Sequence, residues 1–154
     1  MTDNLQLLRI KLRHLHRMQD YLAYSLSQVS PLLAMLDWGA LTDDQHESLA
    51  AFRVRFGEMQ EHLGKAMRAV AIEEEVDVDR FGAVLAHMER LGVLDSVQQW
   101  KLMRELRNSV NHEYEDDEAR QREFFALMVD NAPRLSDYLT RLADHCSREY
   151  GIAP

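Results

Sequence analysis

Apolar residues recur every three or four positions along most of the chain, which is the spacing of an amphipathic helix. The first such stretch runs from about Asp3 to Val29, with Leu8, Leu12 and Leu15 on one stripe. Pro31 then interrupts it, because proline lacks an amide hydrogen and disfavours a helical residue before it. Leu32 to Trp38 is expected to add a last turn or two. The pattern contains no sustained alternation of apolar and polar residues and no Asn-Gly or Asp-Gly turn, so it predicts no strands.

A second helix and a short third helix follow the same periodicity. Thr42-Asp43-Asp44-Gln45 has the form of a capping box that opens the second helix. An acidic loop over about 73–79 separates it from the third helix, which is predicted from about Asp79 to Leu91 with Gly92 as its C-terminal signal. The second helix carries an apolar stripe of Leu49, Phe52, Phe56, Met59, Leu63, Met67 and Val70.

The last two helices are long in the prediction. Asp95 or Ser96 caps the fourth helix, which is expected to reach about Glu113. The fifth starts at 116–117 and extends to roughly Tyr150, with a kink expected at Pro133. The sequence therefore predicts one domain over 1–154, an all-α, up-and-down bundle of four long helices plus one short helix between the second and the fourth.

Charge and cysteine content narrow the class of protein. The net charge is −8, and because residues 1–70 are neutral overall, the whole excess lies in 71–154. An acidic protein binds nucleic acid poorly without specificity, so an RNA-binding function requires a local basic patch. One cysteine, Cys146, excludes an internal disulfide. The chain has no signal-peptide pattern and no apolar run of about 20 residues, so we expect a cytoplasmic protein that does not associate with membranes.

The fourth helix concentrates unusual polar groups on one side. Its core face is predicted to contain Leu102, Met103, Leu106 and Val110, which lie within about 100° of one another on a helical wheel. An ordinary solvated face is rich in Glu and Lys. The opposite side of this helix instead carries Trp100, Arg104, Arg107, Asn108, Asn111, His112 and Tyr114.

These groups suit phosphate chemistry. Arginine offers a planar fork of donors to a phosphate, and histidine exchanges protons near neutral pH. Arg107 and His112 point about 140° apart in an unbroken helix, so they converge only if the helix ends near His112 or two copies meet in a dimer. The alternative from the residues alone is a solvated helix end whose arginines pair with neighbouring carboxylates.

The motif Arg107-Asn108-x3-His112-x-Tyr114 resembles the signature of HEPN-domain proteins, in the form found in HepT-type toxins. The likeness is close over residues 98–116 and loose over about 5–145. It implies an all-α fold, a homodimer with two motifs in one cleft, and a minimal nucleotidyltransferase as the partner. It also implies metal-independent cleavage of RNA without a cofactor.

The resemblance assigns a role to each motif residue. His112 is the implied general acid or base, Arg107 stabilises the phosphorane formed when a 2′-hydroxyl attacks the adjacent phosphate, and Asn108 assists. Arg104 and Asn111 are the expected RNA-binding residues. Tyr114 matches the position that the partner modifies with AMP in some members.

Three hypotheses of different classes remain open. The first is a toxin-like HEPN ribonuclease, and the second is a non-catalytic binding subunit of a nucleotidyltransferase, favoured by the acidic residues in 113–118. The third is a plain helical dimerisation module. A basic stretch on the first helix is either a track for an RNA backbone or a solvated face, and it comprises Arg9, Lys11, Arg13, His14, His16 and Arg17. Scattered histidines and one cysteine predict no structural metal.

Overall fold

A computed structural model describes residues 1–109 and 116–153. The described part is all-helical, as predicted, and contains no strand. Its α-helices are α1 (Asp3–Val29), α2 (Asp43–Glu73), α3 (Phe81–Arg90), α4 (Val97–Asn108) and α5 (Glu118–Tyr150). Two 3-10 turns, Ser30–Ala34 and Trp38–Ala40, link α1 to α2, where the sequence suggested a continuation of the first helix. None of the helices in this part is both long enough and apolar enough to cross a membrane.

Local capping explains where most helices begin. The Thr42 hydroxyl accepts the amide of Gln45, and the Gln45 side chain accepts the amide of Thr42, which confirms the expected capping box. Ser96, one of the two candidates, caps α4, and Asp117 caps α5. At Pro133 the helix α5 continues without interruption.

Contacts at the helix ends give their directions. Asn4 donates to the carbonyl of Ala69, and the Tyr21 ring lies 4.8 Å from the guanidinium of Arg55, so α1 and α2 are antiparallel. Gln99 donates to Asn131 at 2.6 Å, whereas Asp95 before α4 contacts residues 134–141 of α5, so α4 and α5 are antiparallel too. The helices α1, α2, α4 and α5 thus form an up-and-down bundle, and α3 lies in the connection between α2 and α4.

The predicted apolar stripes form the core. All seven stripe residues of α2 are buried, as are Leu8, Leu12, Leu15 and Leu22 of α1. Five of the eight methionines are buried in it. The core therefore runs along α2, which packs against all four other helices.

A polar cluster joins the C-terminal ends of α2 and α5. The Glu74 carboxylate contacts Nε2 of His87 at 2.7 Å and Nε2 of His145 at 2.5 Å, and it accepts a hydrogen bond from the Tyr150 hydroxyl. Burial favours a raised pKa for the Glu74 carboxyl, but hydrogen bonds from Tyr150, His145 and His87 outweigh burial and lower that pKa. The cluster ties the end of α5 to α2 and α3.

Two expectations for the fourth helix are wrong. It ends at Asn108 and not near Glu113, because Ser109 leaves helical geometry and its hydroxyl donates to the carbonyl of Glu105. Its core face is also rotated towards Trp100, which is 1% exposed, whereas Leu102 is 37% exposed. The bundle consequently has three long and two short α-helices in the described residues.

Candidate functional site

The rotation of α4 is a consequence of a glycine on α2. Gly64 leaves space for the Trp100 indole, whose Cζ2 lies 3.3 Å from where a Cβ on Gly64 would be. Two turns earlier on α2, a Cβ on Gly57 would lie 3.2 Å from Cγ of Arg107. The two glycines are seven residues apart and therefore share one face of α2. They bring α4 close enough for its arginines to lie against α2.

The α2/α4 cleft, as we name it, forms along this contact and has a volume of about 370 Å³. Four cationic side chains line it, of which Arg104 and Arg107 are partly buried and Lys65 and Arg68 are exposed. The sequence prediction therefore placed Arg104 and Arg107 correctly on one polar side of α4. The remaining lining residues are Gln60, Glu61, Gly64, Phe81 and Trp100.

The cleft carries a net positive charge. Glu61 is its one lining carboxylate, and it pairs with Lys65 at 3.5 Å. Arg68, Arg104 and Arg107 form no ion pair with a carboxylate in the part of the chain that the structure describes. Three guanidinium groups thus remain available to an anion, although the protein as a whole is acidic.

Two contacts position the side chain of Arg107. Its Cγ packs where Gly57 has no side chain, and its Nε donates to Oδ1 of Asn108 at 3.3 Å. The two terminal nitrogens of Arg107 have no acceptor among residues 1–109 and 116–153. Asn108, predicted as a polar assistant, therefore orients the arginine, and the terminal fork can bind an anion.

Two residues that line the cleft each have a buried polar atom without a hydrogen-bond partner among the described residues. Nε1 of Trp100 and Oε1 of Gln60 have no hydrogen-bond partner among the described residues, and both side chains are at least 98% buried, at 1% and 2% exposure. Leaving such groups unpaired costs roughly 1–3 kcal/mol each. Neither atom is exposed at the surface of the cleft.

Three of the predicted site residues fall outside the description. Asn111, His112 and Tyr114 lie in 110–115, so the structure brings together Arg104, Arg107 and Asn108 only. In the described ranges, no group of three or more His, Cys, Asp or Glu side chains is arranged to hold a metal ion.

Sequence reasoning missed the α2 side of the cleft. Lys65 and Arg68 lie 39 and 36 residues before Arg104, so no local motif connects them to it. The pair Gly57 and Gly64 was the available signal, since glycines seven apart inside a helix indicate the close approach of another helix.

Comparison of the chain with family models, with curated proteins and with solved structures finds no match. The arguments for function therefore come from the residues and their geometry.

Proposed function

We propose that the protein is a HEPN-type ribonuclease that cleaves RNA in the α2/α4 cleft without a metal ion, as the toxin of a module with a nucleotidyltransferase antitoxin. One observation carries this proposal: Arg107, the first residue of the Arg-x4-His motif, lines a cleft with Lys65, Arg68 and Arg104. A cluster of cations is what an acidic protein needs to hold a phosphodiester.

The proposed reaction is an intramolecular transfer at phosphorus. A general base removes the proton of the 2′-hydroxyl, whose oxygen attacks the adjacent phosphorus. The bond to the 5′-oxygen of the next nucleotide breaks, and that oxygen takes a proton from a general acid. The products are a 2′,3′-cyclic phosphate and a 5′-hydroxyl. His112 is the proposed proton-transfer group, since imidazole both accepts and donates protons near neutral pH.

Arg107 has the electrostatic role in this proposal. The phosphorane carries more negative charge on its non-bridging oxygens than the ground state does, so a fixed guanidinium stabilises it preferentially. The contacts of Arg107 with Gly57 and Asn108 fix the group before the substrate binds. Arg104 and the two cations of α2 would hold the flanking phosphates, and Asn111 is proposed to assist RNA binding.

Substitution of Arg107 is the direct test. Arg107→Ala should lower RNA cleavage by roughly 10²–10³-fold, as loss of one transition-state donor does. Arg107→Lys keeps the positive charge but loses the planar pair of donors, so its cleavage rate should lie between those of the wild type and Arg107→Ala. Lys101→Ala is the matched control, because Lys101 is an exposed cation of α4 that does not line the cleft. Cleavage is followed with a labelled oligonucleotide and by the 2′,3′-cyclic phosphate in the product.

The opposite result would be informative as well. If Arg107→Ala cleaves as fast as the wild type, the cleft is not the active site. Thermal denaturation of each variant is the control for folding, since the stem of Arg107 packs against Gly57 and its truncation removes that contact.

A non-catalytic binding subunit of a minimal nucleotidyltransferase is the second candidate. Asp116, Asp117 and Glu118 are all exposed at the start of α5, directly after the motif. This acidic surface repels an RNA backbone and fits a cationic partner surface. Purified protein that neither cuts RNA nor slows growth, but binds the nucleotidyltransferase, would favour this candidate. In either case Tyr114 is the proposed site at which the partner attaches AMP.

A further inference from the structure

A second basic surface lies beside the cleft, in the groove between α1 and α2. Two cavities of about 360 and 420 Å³ lie along this α1/α2 groove. The first is lined by His14, Arg17, Met18, Tyr21, Arg55, Glu58 and His62, and the second by Asn4, Leu7, Lys11, Lys65, Arg68, Ala69 and Ile72.

Both helices contribute basic side chains at matching positions along the groove. Lys11, His14 and Arg17 follow one another at spacings of three on α1, which keeps them on one side of that helix. The antiparallel α2 contributes Arg55, His62, Lys65 and Arg68, and Glu58 is the single lining carboxylate. Glu58 pairs with Arg55 at 3.4 Å. The stretch of α1 from Asn4 to Tyr21 is about 26 Å long at 1.5 Å per residue. The groove is therefore long enough for several nucleotides of an extended single strand to lie along it.

The groove is continuous with the α2/α4 cleft. Lys65 and Arg68 line both the cavity beside Lys11 and the cleft beside Arg107. A polyanion lying along α1 can therefore pass over these two side chains and enter the cleft without leaving cationic surface.

An aromatic ring lies at the end of the α1/α2 groove that is remote from the cleft, and it favours single-stranded over double-stranded RNA as the ligand. The Tyr21 side chain is 48% exposed, and the Arg55 guanidinium lies 4.8 Å from its ring centre. Bases of a single strand stack on exposed aromatic rings and on arginine planes, whereas a duplex keeps its bases paired and stacked inside.

We propose that the α1/α2 groove binds the backbone of single-stranded RNA and feeds it into the α2/α4 cleft. This inference rests on the proposed function for what happens in the cleft, but binding along the groove is measurable by itself. It assigns Lys11 and Arg17 of the first helix to substrate binding, at a distance along the chain from the motif.

The experiment measures binding of labelled oligouridines of increasing length by fluorescence anisotropy, in a His112→Ala background. We expect affinity to rise with length until the groove is filled. Lys11→Ala/Arg17→Ala should weaken the long oligomer more than the short one. It should also reduce the slope of log K against log salt by about 1.4, which is about 0.7 for each lost phosphate contact on a single strand.

Arg9→Ala/Arg13→Ala is the matched control. It removes the same charge from the same helix, but both residues are exposed and neither lines the groove. Equal effects of the two double variants would overturn the proposal, because they would reflect net charge alone. Polyglutamate that displaces oligouridine at equal charge concentration would overturn the assignment to RNA.

The outcome separates this inference from the proposed function. Binding that depends on length and on Lys11 and Arg17, without any cleavage by the wild type, supports the groove and refutes the ribonuclease. Cleavage that depends on Arg107, with unchanged affinity in the Lys11→Ala/Arg17→Ala variant, supports the ribonuclease and refutes the groove.

Discussion

Glu74 connects parts of the chain that are distant in sequence, and no sequence pattern around it indicates this role. Its carboxylate accepts hydrogen bonds from three side chains that lie 13, 71 and 76 residues further along the chain. The Glu74 side chain is only 20% exposed, so loss of its charge leaves these donors without an ionic acceptor. One carboxylate thereby fixes the ends of three helices.

Glu74→Gln should destabilise the protein by roughly 1–3 kcal/mol at neutral pH, because the amide replaces a charged acceptor by a neutral one. Chemical denaturation of both proteins as a function of pH is the measurement. Folding lowers the pKa of Glu74 below the unfolded value of about 4.3. Its contribution is therefore complete above that value and is lost as the pH falls through the folded pKa.

The difference in unfolding free energy between wild type and Glu74→Gln should accordingly shrink as the pH falls into the acid range in which Glu74 becomes protonated. Glu89→Gln is the control, since Glu89 is exposed on α3 and its side chain forms no hydrogen bond or ion pair with the described residues of the cluster. A difference that persists unchanged into acid would show that the charge of Glu74 is not what stabilises the cluster.

At the scale of helices, the packing of α4 on α2 determines which α4 residues can act together. Gly57 and Gly64 allow the close approach, Trp100 fills the space at Gly64, and Arg107 fills the space at Gly57. The indole and the stem of the arginine thereby become part of the interface, and the guanidinium stays at its edge.

Gly57→Leu should lower RNA cleavage about tenfold or more without removing any charge. A Cβ at this position would lie 3.2 Å from Cγ of Arg107, so a larger side chain displaces the arginine, and displacements of about 1 Å can cost 10²-fold in rate. The measurement is the rate of oligonucleotide cleavage beside thermal denaturation.

Gly82→Leu serves as the comparison for this change, because no atom lies within 4 Å of a Cβ at Gly82. Leucine is favoured over glycine inside a helix by roughly 0.5–1 kcal/mol, so both variants gain helix propensity. Full activity in Gly57→Leu would mean that the position of Arg107 does not matter to the reaction.

At the scale of the whole molecule, the positive and negative charges lie in different parts of the chain, which makes the net charge of −8 compatible with the proposed RNA-directed function. The acidic excess lies in residues 71–154, whereas all the basic residues that line the groove, and half of the cations that line the cleft, come from α1 and α2. Affinity for RNA should therefore depend strongly on salt.

We expect a homodimer that forms through the α4 region, as the resemblance implies. Trp100 is buried and cannot contribute, whereas Leu102 is an exposed apolar residue of α4. Leu102→Glu should shift light scattering from dimer towards monomer, because a charge at the centre of an interface is unfavourable. Leu36→Glu, at a residue 98% exposed and remote from α4 in sequence, should leave the mass unchanged. Wild-type protein that is monomeric at high micromolar concentration would refute the dimer.

The sequence by itself determined the elements and most of the core. Periodicity placed the bounds of α1 at Asp3 and Val29, the capping box at Thr42 placed the start of α2, and the start of α4 was predicted at Asp95 or Ser96, of which Ser96 is the cap. These features depend on neighbours within about one turn, so they can be recognised locally. The same local reasoning put Arg104 and Arg107 together, since residues three apart share a helix face.

Only the tertiary structure decided the rest, because it depends on residues that meet from distant parts of the chain. The orientation of α4 follows from the space at Gly64, which buries Trp100 and exposes Leu102, and a wheel drawn for α4 alone cannot contain that information. Lys65 and Arg68 join the arginines of α4 across the same contact. The contact between Glu74 and His145, which are 71 residues apart, has the same cause. Periodicity shows which side of a helix is buried, but only the packing of the helices determines which residues that side contacts.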